Sequence, residues 1–246
     1  MRIRLLPRFL LALAAVAFLA AAPASVAAQV FRPGIRPAAR STVFLGISGL
    51  AAVPQGQFDA YVGTGWGVTG NLLVRLDPNG VVGLRIDGGY INYGNEKKRA
   101  CISTTIGCRI EVDVHTSNNI AVLGIGPQII LPTGKFRPYF TGSVGLAYFF
   151  TQSSLDGISD NQDFAHTTNF DDVTFAWTGG GGLYIPLKGG PKPISLDLGV
   201  RYHGNGEARY LREGSIVDNP DGTISYTPIR SETNLLVFSV GATFGL

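Results

Sequence analysis

Five charged side chains, Arg75, Arg85, Asp87, Asp197 and Arg201, sit inside stretches that otherwise alternate apolar and small residues. Ile194-Ser-Leu-Asp-Leu-Gly-Val-Arg-Tyr202 is the clearest case. In a β-strand its Ile, Leu, Val and Tyr side chains share one face, and Ser195, Asp197, Gly199 and Arg201 share the other. Charges of both signs on one face can pair with one another. They do so either against water or inside an enclosed lumen, and period alone does not say which face is wet.

Other residue types that carry chemistry give weaker patterns. Gly65-Trp-Gly-Val-Thr-Gly70 fits G-x-G-x-x-G, but its glycines run into an alternating segment and not into a helix whose N-terminus would meet a pyrophosphate. Gly179 to Gly182 reads as thinned sheet, since glycine in a strand marks a bend or a close approach. His115, His166 and His203 are scattered, and the acidic stretches 156–163 and 218–221 lack calcium-loop spacing, so no metal or other cofactor is expected. Cys101 and Cys108, close together in a polar stretch, are expected to form a small loop disulfide in an oxidising compartment. Asp171, Asp172 and His203 lie at the height where a barrel hydrolase would place rim residues; water-facing rim residues are the simpler reading.

The elements that would position these residues are strands. Eight β-type segments are expected at about 42–53, 66–77, 81–93, 114–131, 136–151, 173–187, 193–204 and 233–246, with no sustained helical period. Connections alternate in length. Asp77-Pro-Asn-Gly80, Leu131-Pro-Thr-Gly-Lys135 and Lys188-Gly-Gly-Pro-Lys192 are tight turns, whereas 54–65, 94–113, 152–172 and 205–232 read as long polar loops. An antiparallel meander of this kind gathers all short turns at one end and all long loops at the other.

The first 28 residues combine a basic start, an apolar run and a small-x-small exit, which reads as a secretory signal, followed by a Pro/Arg linker over 29–40. Removing the signal takes Arg2, Arg4 and Arg8 from the 20 basic residues and leaves as many basic as acidic side chains, 17. With no basic run longer than Lys97-Lys98-Arg99, nucleic acid is not an expected partner. Charged residues make up 15% of the chain, against about 25% in soluble proteins. An outer surface that does not face water would account for the deficit.

Facing can be tested by where aromatics fall. With the leucine face outward, Trp66, Tyr90, Tyr148, Phe150, Phe175, Trp177, Tyr202 and Phe238 all point outward near the long-loop end, and Phe140 and Phe244 form a sparser ring near the turns. Between them lies an apolar band that includes Val68, Leu72, Leu84, Ile86, Leu123, Val144, Leu146, Leu196 and Leu198. Two aromatic girdles around an apolar band describe a membrane wall. The five charges then face the lumen, where Arg85 and Asp87 on the third strand are expected to meet Asp197 and Arg201 on the seventh, with Arg75 beside them. Phe44, Leu50, Leu73 and Tyr184 come out inward as apolar exceptions, and a slip of the first strand by one residue would be one explanation.

With these features the chain resembles the small outer-membrane β-barrel proteins of Gram-negative bacteria, of the OmpA, OmpX and OmpW type. The signal, the eight strands, the alternating turn lengths and the closing strand Asn234-Leu-Leu-Val-Phe-Ser-Val-Gly-Ala-Thr-Phe-Gly-Leu246 carry the likeness. It implies an all-β, eight-stranded antiparallel up-and-down barrel over 41–246, a monomer set in outer-membrane phospholipid and lipopolysaccharide. It also implies passage through the barrel-assembly machinery, whose usual C-terminal aromatic is here replaced by Leu246 with Phe244 two residues before it. The expected function is non-enzymatic: a charge-plugged barrel with a structural role or a role in binding through its outer loops, and at most a narrow solute path. A lipid-modifying or proteolytic barrel enzyme and a secreted lipocalin-like barrel are the alternatives.

Overall fold

The computed structural model describes residues 41–101, 111–131, 134–157, 160–219 and 224–246. The expected signal and linker, His166's side chain and the Cys101–Cys108 pairing lie outside the described residues. Alternation produces strands where it was expected: β1 (Val43–Pro54), β2 (Gly65–Arg75), β3 (Val82–Cys101), β4 (Glu111–Ile130), β5 (Arg137–Gly157), β6 (Asp160–Lys188) and β7 (Ile194–Asn205). Four short strands follow, β8 (Glu207–Tyr210), β9 (Ile216–Asp218), β10 (Ile224–Tyr226) and β11 (Ile229–Glu232), before β12 (Leu235–Gly245). β1 to β7 pair each with the next, and β12 pairs with both β7 and β1, which closes an eight-stranded antiparallel up-and-down barrel. Closure leaves the barrel no sheet edge with unpaired N–H and C=O groups.

The first tight turn shows how local chemistry sets the register. Asp77 Oδ2 accepts the Asn79 N–H at 3.0 Å and Oδ1 accepts the Val82 N–H at 2.7 Å, while Gly80 takes φ +71°, where a side chain would be strained. Gly134 and Gly190 hold the same positive-φ role in the other two turns, at +56° and +96°.

Three expectations need correction at the opposite end. Residues 94–113 and 152–172 are not simply loops: β3 continues to Cys101 against β4 from Glu111, and β5 continues to Gly157 against β6 from Asp160. These strands keep pairing after both of their faces have turned polar, so polarity there marks water on both sides, not loss of strand. Spanning an apolar layer takes only about 9–11 residues of a tilted strand, whereas β3 and β4 have 20 each and β6 has 29. The outer halves therefore stand as ribbons beyond the barrel wall. The connection over 205–232 is likewise structured, by the ribbons β8/β11 and β9/β10.

The register of β1 stands as first read, without a slip. Leu45 and Ile47 face outward, 49% and 62% exposed, and Phe44 and Leu50 are buried in the lumen. The inward apolar residues are the floor and the ceiling of the barrel interior. Phe44, Leu73, Ile130, Tyr139 and Tyr184 pack at the turn end, and a larger cluster built on Leu50, Ala52, Ile91, Ile120, Phe149 and Val237 packs toward the other end.

Candidate functional site: a charged layer under an aromatic cap

Between floor and ceiling lies the charged layer. Arg85, on β3, is 1% exposed; its Nε meets Asp87 Oδ1 at 2.7 Å, and its Nη1 donates to Gln128 Oε1 at 2.8 Å and to the Tyr184 hydroxyl at 3.3 Å. Arg201, across the lumen on β7, reaches the same Asp87 oxygen with its Nη1 at 2.8 Å. One carboxylate oxygen thus holds two guanidinium groups, and charge-assisted bonds of this kind are roughly twice as strong as neutral ones.

Asp197 does not meet Arg85 or Arg201 at ion-pair distance. Its Oδ1 accepts the Tyr139 hydroxyl at 2.8 Å, and Tyr139 stacks on Tyr184 with ring centroids 4.5 Å apart. Arg85, Asp87, Asp197 and Arg201 carry two charges of each sign, so the layer is neutral as a whole. Arg75 lies apart from it, at the turn end, with its guanidinium carbon 4.1 Å over the Phe44 ring.

Glycine makes the room. A Cβ on Gly182 would come within 2.6 Å of the Tyr139 phenol, and one on Gly199 within 3.1 Å of its hydroxyl. Gly182 and Gly199 therefore leave a hollow in the wall for the Tyr139 phenol that serves Asp197.

The ceiling is a feature that sequence reading missed. The β1–β2 connection turns through a short 3-10 helix, Phe58–Ala60, and drops Phe58 into the barrel mouth, where it is fully buried. Its ring packs edge-on against Tyr210, Tyr93 and Phe149, at centroid distances of 5.0, 5.7 and 6.2 Å. Parity along β3 and β5 places Tyr93 and Phe149 inward; nothing periodic marks Phe58 or Tyr210. Between cap and charged layer remains a cavity of about 30 Å³, lined among others by Asp87, Arg201, His203, Leu50 and Ile91, which is room for about one or two waters.

Outside, Trp66, Phe175, Trp177, Phe238, Tyr90 and Tyr148 are exposed, from 68% down to 38%, while Phe150 and Tyr202 are half-buried. They touch one another: Tyr148 stacks on Phe150 at 5.2 Å, Tyr90 lies 6.2 Å from Phe150, and Trp177 lies 5.7 Å from Tyr202. The Trp177 ring fills the space a side chain on Gly204 would need. Nearer the turns, Phe140 and Phe244 are exposed as well.

The rim trio does not converge. His203 is buried in the lumen wall, Asp171 is exposed opposite Phe150 on the neighbouring strand, and Asp172 Oδ2 accepts the Arg209 N–H at 2.8 Å. Among the described residues no three His, Cys, Asp or Glu side chains lie together. At the far end, three contacts tie the β7–β12 connection to β3. The Tyr93 hydroxyl donates to Leu211 O at 3.1 Å, Glu96 Oε2 accepts the Gly214 N–H at 3.0 Å, and Lys98 Nζ donates to Ile216 O at 3.1 Å. Burial alone would raise the Glu96 pKa, but the Gly214 amide and the Lys98 ammonium outweigh it and hold the carboxyl below its ordinary 4.5.

No protein-family model and no curated protein matches the chain. Among solved structures, Neisserial surface protein A is 13% identical, covering 84% of this chain and 98% of its own at a TM-score of 0.39. Ail, the attachment invasion locus protein of Yersinia pestis, is 10% identical with coverages of 85% and 99% and a TM-score of 0.41. A major outer membrane protein from Thermus thermophilus is 14% identical, with 81%, 98% and 0.40. At these values the barrel assignment rests on the chain's own strand register.

Proposed function

We propose that this chain is an integral, non-enzymatic barrel of a Gram-negative outer membrane, closed to solutes, that works through the surface its long connections build. The belt of exposed apolar side chains carries the reading. Leu123, Ile47, Val240, Val144 and Leu146 stand 54–63% exposed around a closed barrel, with aromatic residues above and below. A soluble protein rarely shows a contiguous apolar patch beyond a few hundred Å², and this one would encircle the molecule.

The lumen argues for closure. A layer of both signs, neutral overall, sits between an aromatic floor and an aromatic cap. A lipocalin-like carrier needs an apolar hollow for its ligand, and a cavity of about 30 Å³ holds none. No helix of the described residues is long and apolar enough to cross a membrane, so spanning falls to the strands.

Fractionation of expressing cells, with protease added to intact cells, tests the location: the chain is expected in outer membranes, cut from outside within its long connections. Planar-bilayer recording of the purified barrel tests closure, and steady open-channel conductance would overturn it.

A further inference from the structure

Resting on the reading of the long-connection end as the outer surface, we propose that a cleft there binds a neutral saccharide. The cleft has a volume of about 530 Å³ and is lined by the β1–β2 connection, the upper parts of β3 and β4, and the start of the β7–β12 connection. Tyr61, Trp66, Asn92, Asn95, Asn118 and Arg212 are the lining residues that matter.

Their chemistry is that of sugar recognition. A pyranose presents apolar C–H faces and pairs of neighbouring hydroxyls, each both donor and acceptor. Tyr61 and Trp66 offer exposed aromatic faces, 43% and 68% exposed, for the former. Amides suit the latter because each carries donors and an acceptor. Asn92 and Asn95 bond each other reciprocally, Asn95 Nδ2 to Asn92 Oδ1 at 2.7 Å and Asn92 Nδ2 to Asn95 Oδ1 at 3.1 Å, and a third bond ties Asn92 Nδ2 to Asn119 Oδ1 at 2.9 Å. These bonds fix which way each amide faces and leave one Asn95 N–H and oxygen lone pairs unspent. In the cleft wall Asn118 is 1% exposed; its Oδ1 accepts from Thr151 at 2.7 Å, yet its Nδ2 has no hydrogen-bond partner. An unpartnered buried amide donor is uncommon enough to need a reason, and a ligand hydroxyl reaching the wall supplies one.

Charge selects neutral sugars over sulfated or phosphorylated ones. The lining includes one cation, Arg212, held with its guanidinium carbon 5.7 Å over the Tyr61 ring, and one anion, Glu213. The cleft is also built in advance. Phe58 anchors one wall in the barrel mouth, and the Tyr93–Leu211, Glu96–Gly214 and Lys98–Ile216 bonds pin the other. A preformed site avoids most of the ordering cost of binding.

Trp66 belongs to both the cleft and the outer aromatic belt, so the site opens at the level of the membrane surface. Two sources of the same chemistry reach that level: the sugars of lipopolysaccharide in the same leaflet, and glycans arriving from outside. Protein-observed NMR of the folded barrel in micelles distinguishes them. One arm titrates free neutral oligosaccharides ending in glucose, galactose or N-acetylhexosamine, the other titrates the neutral hexose segment of the outer core released from lipopolysaccharide, and a sulfated oligosaccharide is the control.

Saturable shifts at Tyr61, Asn95 and Gly94 are expected in at least one arm, and the responding arm identifies the source. Tyr61→Ala and Asn95→Ala should each weaken binding about tenfold, the size of one lost aromatic contact or hydrogen bond. Asn95→Asp, which keeps the volume but breaks the amide pair, should do the same, and Arg230→Ala outside the cleft should change nothing. Silence in both arms from a barrel that still migrates as folded, undiminished binding in the Tyr61 and Asn95 variants, or a response confined to sulfated saccharides would overturn the proposal. Fractionation reads the membrane assignment separately, so failure of one does not register as failure of the other.

Discussion

Asp87→Asn tests the charged layer most directly. The wild-type carboxylate oxygen holds Arg85 Nε at 2.7 Å and Arg201 Nη1 at 2.8 Å, so the two cationic nitrogens lie within about 5.5 Å of each other. With the carboxylate neutralised, two guanidinium charges at that separation repel by about 3 kcal/mol at an effective dielectric of about 20. Both are nearly fully buried, and breaking a buried pair by removing one partner typically costs about 3–5 kcal/mol. The repulsion is then no longer offset by the carboxylate, and the expected loss is that of a broken buried pair, about 3–5 kcal/mol. Urea unfolding in liposomes, followed by tryptophan fluorescence and heat-modifiable migration, measures it. Adding Arg201→Met to Asp87→Asn removes the second cation and leaves Arg85 with Asp197, so the double variant should recover part of the loss. Wild-type stability in Asp87→Asn, or a double variant less stable than the single one by the full cost of Arg201, would refute a layer held by charge neutrality.

Three further outcomes are expected. Leu123→Arg replaces a side chain that is 63% exposed; on a water-facing wall it should be silent, but within a bilayer it should destabilise by roughly 2–4 kcal/mol, read by the same unfolding assay in liposomes. Phe58→Ala removes a fully buried ring from the cap, a change that costs about 3–5 kcal/mol in ordinary cores. Here it should raise hydrogen exchange and protease cutting over 55–64 while bilayer recordings stay silent; unchanged exchange would show that the cap does not hold that connection. The third concerns pH. The Glu96 pKa is lowered in the folded chain, so its contribution is present above 4.5 and fades as pH falls through the lowered value. The protection factor of the Gly214 amide, its exchange relative to the free-peptide rate at the same pH, should therefore fall below about pH 4.5, and at neutral pH it should already be lower in Glu96→Ala.

Alternation carried the barrel because period 2 is a local property: Asp197 and Arg201 could be placed on one face of β7 without knowing what lay opposite. Strand parity also put Arg85 and Asp87 in the lumen. Parity does not choose partners, however. Whether Asp197 takes an arginine or the hydroxyl of Tyr139, two strands away on β5, depends on the hollow left by Gly182 and Gly199, and that hollow exists only once β5, β6 and β7 are paired. The ribbons escaped for the opposite reason. Glu96 to Arg99 pair with Asp113 to Thr116 across a sheet wetted on both faces, where no hydrophobic contrast marks the period. Phe58 escaped because the two aromatics of Gln55-Gly-Gln-Phe-Asp-Ala-Tyr61 set no period, and nothing in the stretch marks Phe58 rather than Tyr61 for burial; that is decided by Tyr93, Phe149 and Tyr210, which arrive from three other parts of the chain.

Tyr93 links the cap to the outer surface. Its ring is part of the ceiling beside Phe58, and its hydroxyl holds Leu211 O at the base of the saccharide cleft. The charged layer has no such link: its bonds run among Arg85, Asp87, Gln128, Tyr184 and Arg201, below the cavity that separates it from the cap. Disturbing Phe58 should therefore propagate to the cleft, and disturbing Asp87 should not. Saccharide titration of Phe58→Ala and Asp87→Asn in parallel would separate the two halves of the lumen. Weakened binding in the first with wild-type binding in the second is expected, and the reverse pattern would mean that the charged layer, not the aromatic cap, shapes the outer surface.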